Sequence, residues 1–444
     1  MNILIFAYAS EPGTGSEYGV GWTVPTKMAE MYPEHEIYVL TRSRCKEKIY
    51  AALNPHDDRK SVSLEECVNS TAWPNLHFLF YDIPNCMFYK NEMKSNWGEQ
   101  INYWLWQLMV RRFVRKMHKK IGFDVMHHLT FNQYRTPSPG FWMDVPFVMG
   151  PIGGAETIAE SFAQDLNPHT ARKEEIRRKG RDLKVFGWFM SRRKNKKVIL
   201  CSCAENLKRL QPYAYGNEMK VLPAIAFSPQ DFEIGPSPEE ENIEGKREIF
   251  SLLYAGKAWD WKGLKIFLRA AKKAYIDKGV ENFTIKIVGI RFKEEQDEVM
   301  SWVAECGLQD KVTLIPFIQR SELLKMMTEI NLSVYPAFRD SGSMSILEAS
   351  ALGCPTICFD AGGQDIFPDD ILLKVPVGMT YDDNLNRFSE RLSWAYEQKM
   401  QSREIGIRSK SWVEENLTWD KKVREFVDIY RNLAPAPSRM ERVH

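Results

Sequence analysis

At 444 residues the chain is longer than one hydrophobic core usually serves, so two domains are expected. With 44% hydrophobic and 27% charged residues and a mean hydropathy of −0.38, it has the composition of a soluble globular protein. A net charge of only +2 argues against a general nucleic-acid binder, although it leaves room for local basic patches.

The first apolar run, Met1 to Ala9, is short, lacks a basic leader and runs into a Gly-rich loop, so it is a first strand rather than a signal peptide. Short β-like runs then alternate with helical stretches, the pattern of parallel α/β domains. In the first half the expected strands are Ile3 to Ala9, Glu36 to Thr41, Leu76 to Tyr81, Asp124 to Leu129, Pro146 to Met149, Val198 to Cys203 and Lys220 to Leu222. A long helical stretch, Gln100 to Lys120, lies among them. From Phe227 the pattern lapses into three prolines and a glutamate cluster, which marks a linker over 227–247. Strands resume at Ile249 to Ala255, Phe283 to Val288, Lys311 to Ile315, Leu332 to Tyr335 and Pro355 to Phe359. The expected division is a first domain over 1–226 and a second over 248–444, with the last helix packing back on the first domain. No run is long enough to span a membrane. The eight cysteines follow no metal-binding spacing and are expected to be buried, reduced thiols of a cytoplasmic enzyme.

In open parallel sheets, ligands bind beyond the carboxyl ends of the strands. Four such loops carry the informative residues. After the strand ending at Tyr335 comes Arg339-Asp340-Ser341-Gly342-Ser343-Met344, with Glu348 further into the helix that opens near Ser343. That helix start offers unpaired N–H groups to a phosphate, and the two carboxylates can accept hydrogen bonds from sugar hydroxyls. An ordinary N-capped helix is the competing reading. After Ala255, the loop Gly256-Lys257-Ala258-Trp259-Asp260-Trp261-Lys262-Gly263 places two lysines where a diphosphate leaving group needs charge neutralised. Solvated surface lysines are the plainer alternative.

After the first strand, Gly13-Thr14-Gly15-Ser16-Glu17 permits close backbone approach to a phosphate. It also loosely fits a dinucleotide fingerprint, with Arg42 rather than an acid at the end of the second strand, so an NADP site is an alternative. The fourth loop follows Asp124 to Leu129, where His127 and His128 point to opposite faces of the strand and at most one looks directly into a cleft.

Together these four segments resemble the family-4 retaining glycosyltransferases of the GT-B fold, two Rossmann-like domains facing an interdomain cleft. Asp340 to Glu348 resembles the family's E-x7-E motif, with Asp in place of the first Glu. Gly256-Lys257 and Lys262-Gly263 resemble its diphosphate-binding stretch, with Lys257 replacing the usual Arg, and Gly362-Gly363 matches a further glycine pair. The resemblance implies that Glu348 binds the donor ribose and Asp340 the donor sugar. It implies that Lys257, Lys262 and the amides of Gly342, Ser343 and Met344 hold the diphosphate, with Gly15 and Ser16 closing over it. Phe317 and Ile318 would recognise the base through the backbone, and His127 or His128 would sit beside the reacting sugar. The expected catalytic set is therefore His127, His128, Asp340 and Lys262. No metal or other cofactor is expected beyond the nucleotide-diphosphate sugar as co-substrate, of UDP or GDP type.

Two features bear on the acceptor, expected to be a glycan or a lipid-linked molecule. The Gly-rich loop Gly150 to Glu156 is expected to face it. The stretch Ala171 to Lys197 holds twelve Lys/Arg against three acidic residues with Phe186, Trp188 and Phe189 interleaved, and Arg111, Arg112, Arg115 and Lys116 add to it. Peripheral contact with the inner face of an anionic membrane is the functional expectation there, and a solvated basic helix the alternative. The alternatives to a glycosyltransferase are a nucleotide-sugar epimerase, an NADP-dependent oxidoreductase and a catalytically silent sugar-nucleotide binding protein.

Overall fold

The computed structural model describes residues 1–55, 67–84, 96–180, 182–192, 195–228 and 249–434. Eight strands form the first sheet: β1 (Asn2–Phe6), β2 (Glu36–Thr41), β3 (Cys67–Asn69), β4 (Leu76–Phe80), β5 (Val125–His128), β6 (Phe147–Ile152), β7 (Lys197–Cys201) and β8 (Glu218–Val221). Six form the second: β9 (Phe250–Ala255), β10 (Phe283–Val288), β11 (Val312–Ile315), β12 (Leu332–Tyr335), β13 (Thr356–Phe359) and β14 (Leu373–Val375).

The first sheet runs β3-β4-β2-β1-β5-β6-β7-β8, parallel except for the antiparallel β3 at its edge. The second runs β11-β10-β9-β12-β13-β14 and is parallel throughout. Central strands read as unbroken apolar runs because helices cover both faces, as with Ile3, Leu4, Ile5 and Phe6 of β1, all buried. The three-residue strands β3 and β14 were too short to show a period. The expected helix Gln100 to Lys120 is two helices, Asn96–Met109 and Arg111–Ile121, meeting at Val110.

Strand order reverses between β1 and β5 in one sheet and between β9 and β12 in the other. Those are the switch points where crevices open at the carboxyl ends of strands. The loops after these four strands are the four singled out by sequence.

The chain crosses between the halves more than once. From the first half, Ile158 and Phe162 are buried in the core of the second, where Phe162 stacks on Phe338 with ring centroids 4.1 Å apart. In return the last described helix, Trp419–Leu433, buries Val423, Phe426, Val427 and Tyr430 against the first sheet. Of the expected linker over 227–247, residues 229–247 lie outside the described residues; Phe227 is buried beside Leu417. Cys45, Cys201, Cys203, Cys306, Cys354 and Cys358 are free and buried, while Cys86 lies outside the described residues.

Candidate active site

The second domain brings Lys262, Tyr335 and Asp340 into one cluster. A short turn over Asp260–Lys262 ends at Gly263, whose φ of +72° and whose position against Pro336 admit only glycine: a Cβ would lie 2.0 Å from the Pro336 carbonyl oxygen. This close approach, with the Phe338 N–H donating to the Trp261 carbonyl at 2.9 Å, pins the loop after β9 to the loop after β12. The Lys262 ammonium donates to Asp340 Oδ2 at 2.5 Å and to the Tyr335 hydroxyl at 3.1 Å. Tyr335 donates to the same carboxylate oxygen, and Gly342 N–H donates to Asp340 Oδ1 at 3.2 Å. Burial pushes the Tyr335 phenol well above its usual range, and the Asp340 charge adds to that, so it remains a donor. The Gly363 N–H donates to the Asp340 carbonyl at 2.6 Å, which places the glycine pair under the same loop. An ammonium has three N–H donors, so the cluster leaves Lys262 one for a ligand.

Lys257 is exposed and lies over the Trp259 ring, 4.1 Å from its centroid. Desolvation lowers the Lys257 amine, the Arg291 and Lys262 charges add to that effect, and the Glu295 charge opposes it. The helix Met344–Ala351 begins beside this cluster, with Ser343 buried as its cap residue and no side-chain cap on its first amides. The Met344 N–H donates to the Gly342 carbonyl at 2.9 Å, so an anion at this helix start competes with that bond and with the Gly342–Asp340 one.

Glu348 is 5% exposed and is held by Arg320, whose Nε donates to its Oε1 at 2.7 Å. Arg320 opens the helix Arg320–Glu329 directly after Phe317, Ile318 and Gln319. The Phe317 ring is half exposed under the Arg291 guanidinium, 4.3 Å away, while Ile318 packs on the second domain's core. Sequence reasoning missed Arg320 and Tyr335, whose roles follow from contacts between distant elements. Arg320 sits two residues after Ile318, which was the available signal.

On the first-domain side, Gly15 caps the helix Ser16–Met31, and a Cβ on it would meet no atom within 4 Å. Glu17 accepts from the Phe131 N–H at 3.0 Å, tying the Gly-rich loop to the turn after β5, where Phe131 has a φ of +57°. The two halves touch at Gly153, where a Cβ would fall 2.4 Å from Ser341 Oγ, and the Gly154 N–H donates to that hydroxyl at 3.1 Å. Glu156 is buried and accepts from Gly154 N–H at 2.8 Å and from Asn206 at 2.6 Å. The buried Glu174 carboxylate takes Arg177 and, from the second domain, Arg339 at 3.2 Å.

His127 and His128 are not brought to this cleft, which corrects their expected place beside the reacting sugar. Both are fully buried, because both faces of β5 are covered by helices. His127 pairs with the Tyr430 hydroxyl at 2.5 Å and with the Gly150 carbonyl at 2.7 Å. His128 meets the Tyr103 hydroxyl at 3.0 Å and the Thr130 carbonyl at 3.1 Å. Burial lowers the two imidazoles to about 4 and about 3, so both are neutral near pH 7.

Arg42 is also buried, stacked 3.8 Å from the Tyr8 ring centroid and donating to Tyr18, so it does not present a free guanidinium to a 2′-phosphate. The basic stretch Ala171 to Lys197 divides. Arg177 and Lys197 are inward, and Phe186 and Phe189 belong to the core, while Trp188 is 54% exposed. Arg181, Arg193 and Lys194 lie outside the described residues. Among the described residues no group of three His, Cys, Asp or Glu could hold a metal ion, and no helix is long and apolar enough to cross a membrane.

Two α/β domains with ligand crevices facing one cleft define the GT-B class of fold. Residues 236–410 match the family model described as glycosyl transferases group 1. Over 129 residues the chain is 28% identical to D-inositol 3-phosphate glycosyltransferase of Paenarthrobacter aurescens, a match that covers 28% of this chain and 31% of that protein. The same enzyme of Arthrobacter sp. is 26% identical over 114 residues, or 26% of this chain and 27% of that protein. The match thus spans under a third of the length of these curated relatives.

Solved structures align over nearly the whole chain. Sucrose-phosphate synthase from Thermosynechococcus elongatus superposes with a TM-score of 0.63 at 14% identity, covering 97% of this chain and 98% of that one. HepE from Anabaena, in complex with UDP and glucose, gives 0.58 at 14% identity, covering 98% and 100%. WaaG, a glycosyltransferase involved in lipopolysaccharide biosynthesis, gives 0.58 at 15% identity, covering 96% and 99%. The chain has the GT-B fold, and the resemblance to its family-4 glycosyltransferases holds.

Proposed function

We infer that the chain is a retaining, metal-independent glycosyltransferase that moves a sugar from a nucleotide-diphosphate sugar to a glycan or lipid-linked acceptor. The observation that carries this is the Lys262–Tyr335–Asp340 cluster at the open start of the Met344–Ala351 helix. Lys262, Lys257 and the amides of Gly342, Ser343 and Met344 take the charge that builds on the departing diphosphate, the work a metal otherwise does. Asp340 accepts hydrogen bonds from the transferred sugar, and Glu348 from the ribose. Gly15 and Ser16 close over the diphosphate from the first domain. The backbone at Phe317 and Ile318 meets the base, two residues from the Arg320 that holds Glu348. The acceptor enters past Gly150 to Glu156 and attacks the face that the diphosphate leaves, which retains configuration.

The neighbour from Anabaena is described with UDP and with UDP-glucose, which supports a UDP-type donor beside the GDP alternative. The helix Arg111–Ile121, RRFVRKMHKKI, carries no acidic residue, and Trp104 and Leu108 on the preceding helix are about 41% exposed. This face supports a cytoplasmic enzyme that docks on an anionic lipid surface. The test is a thermal-shift screen of UDP- and GDP-sugars against NADPH, followed by slow donor hydrolysis. A shift with a nucleotide sugar and hydrolysis of that donor are expected. Stabilisation by NADPH alone would sink the reading, and binding without turnover would reduce the protein to a silent binder.

A further inference from the structure

A cavity of about 380 Å3 lies between the halves, beside the loop that carries Lys262 but lined by none of the residues placed at the donor. One wall is Ala258 to Trp261 with Leu264 and Lys265. A second is the helix Lys293–Glu305, through Glu295, Glu298 and Trp302, and the third is Gln164 to Asn167 of the first half. Lys262 turns its ammonium to Asp340 while its neighbour Trp261 lines this cavity.

Three indoles line it, with the Trp259 and Trp261 ring centroids 4.9 Å apart and Trp259 36% exposed. Four carboxylates line it as well, against Lys265, while Lys257, Arg339 and Lys265 lie over one face of Trp259, Trp261 and Trp302 respectively. Two are spoken for: Asp165 by Arg269 and Tyr381, and Asp260 by the N–H groups of Asn167 and Trp261, each at 2.9 Å. Glu295 faces the Lys257 charge, and Glu298 forms no hydrogen bond or ion pair with a described residue.

Indole faces offer an apolar surface to the C–H face of a pyranose, and ionised carboxylates accept from its hydroxyls. The excess of negative charge disfavours a nucleotide, a sugar phosphate or an anionic lipid. The volume sits at the lower end of the roughly 300–1,000 Å3 of ligand pockets, enough for a short saccharide.

We propose that this cavity is a second carbohydrate site that holds a neutral saccharide away from the donor. It rests on the glycosyltransferase reading for its purpose, which is to grip an acceptor glycan at a distance from the reacting end. The Asn167–Asp260 hydrogen bond ties the Gln164–Asn167 segment to the loop after β9 at its rim.

The test titrates the full chain with maltotriose, cellotriose and mannotriose, with and without saturating UDP, and with choline chloride as a cation probe. Tryptophan fluorescence and saturation-transfer NMR report binding. At least one trisaccharide is expected to bind, undiminished by UDP. Glu298→Ala is expected to weaken it about tenfold while leaving the UDP thermal shift unchanged. Trp302→Leu removes one indole wall and is expected to weaken it at least as much. No binding by any trisaccharide, displacement by UDP, binding of choline alone, or parental affinity in both variants would overturn the proposal. Saccharide binding without any nucleotide binding would support the site and sink the donor reading, so the two failures are distinguishable.

Discussion

Replacing Lys262 with methionine keeps most of the side chain's length and removes its charge. In the fold, the ammonium is shared between Asp340 and Tyr335, with side-chain exposures of 21% for Lys262 and 18% for Asp340. A pair about four-fifths shielded from solvent lies between an exposed pair, worth about 1 kcal/mol or less, and a buried one, whose breaking costs about 3–5 kcal/mol. Asp340 keeps Tyr335 and the Gly342 N–H after the change, so its carboxylate is not stranded. For a domain of this size each kcal/mol lost is a fall of about 2–4 °C in Tm. The catalytic effect is of another kind. Removing one preorganised contact to charge that develops in the transition state costs about 2.7–4 kcal/mol, or roughly 10²–10³ in turnover. Initial rates at saturating donor, beside a melting curve of the same preparation, separate the two. Turnover within about threefold of the parent would remove Lys262 from the mechanism. A fall in Tm large enough to unfold the variant at assay temperature would show that the cluster is structural.

Activity is expected to survive excess EDTA, since side chains and amides supply the charge; loss with EDTA and recovery with Mn²⁺ or Mg²⁺ would refute this. Glu348→Ala is expected to weaken the free nucleoside diphosphate and the whole donor alike, whereas Asp340→Ala spares the diphosphate and lowers turnover, because a contact made only with the sugar cannot affect a ligand without one. Calorimetric titration of both variants tests the split, and the reverse pattern would exchange the two roles. Salt-sensitive binding to anionic but not neutral liposomes is expected from the Arg111–Ile121 face, and binding indifferent to lipid charge would count against it. Urea midpoints are expected to fall as pH drops from about 6.5 towards 4, because the unfolded chain takes up protons at His127 and His128 that the fold refuses. A flat profile across that window would mean that the two imidazoles are not held neutral.

The alternation of strands and helices was legible because buried parallel strands read as apolar runs, as Ile3 to Phe6 of β1 do. The three-residue strands were not, since pairing with a neighbour rather than their own composition defines them. The loops of the candidate site were legible because a strand's end followed by small and charged residues is a local signal. His127 and His128 show the limit of that logic. Adjacent strand residues do face opposite ways, but sequence does not say what covers each face, and here Tyr430 covers one and Tyr103 the other. Arg320 and Tyr335 were missed for the same reason: each acts through a partner that only the fold brings near.

The contacts between the halves differ in kind on the two sides of the cleft, and that difference constrains how it opens. At one side the two crossing segments are bonded to each other: the Phe227 N–H donates to the Leu417 carbonyl at 2.8 Å, and the Trp419 N–H to the Phe227 carbonyl at 3.4 Å. The buried Lys422 amine, lowered by burial to about 7, holds the carbonyls of Pro223 and Ile225 and fixes the same crossing. This is a natural pivot, since its bonds survive rotation of one domain about it. Across the cleft, Gly154–Ser341 is a single hydrogen bond and Asp365 accepts from the Ala204 and Glu205 N–H groups, bonds that water replaces at little cost, beside the buried Glu174–Arg339 pair. Phe162 is different, because withdrawing its fully buried ring from Phe338 and Phe359 costs about 1.5–3 kcal/mol with nothing regained. The segment around Phe162, held also by Asp165 on Arg269 and Tyr381, therefore stays with the second domain when the cleft opens. The movable boundary falls nearer Gly153 and Gly154, the loop that faces the candidate donor cluster.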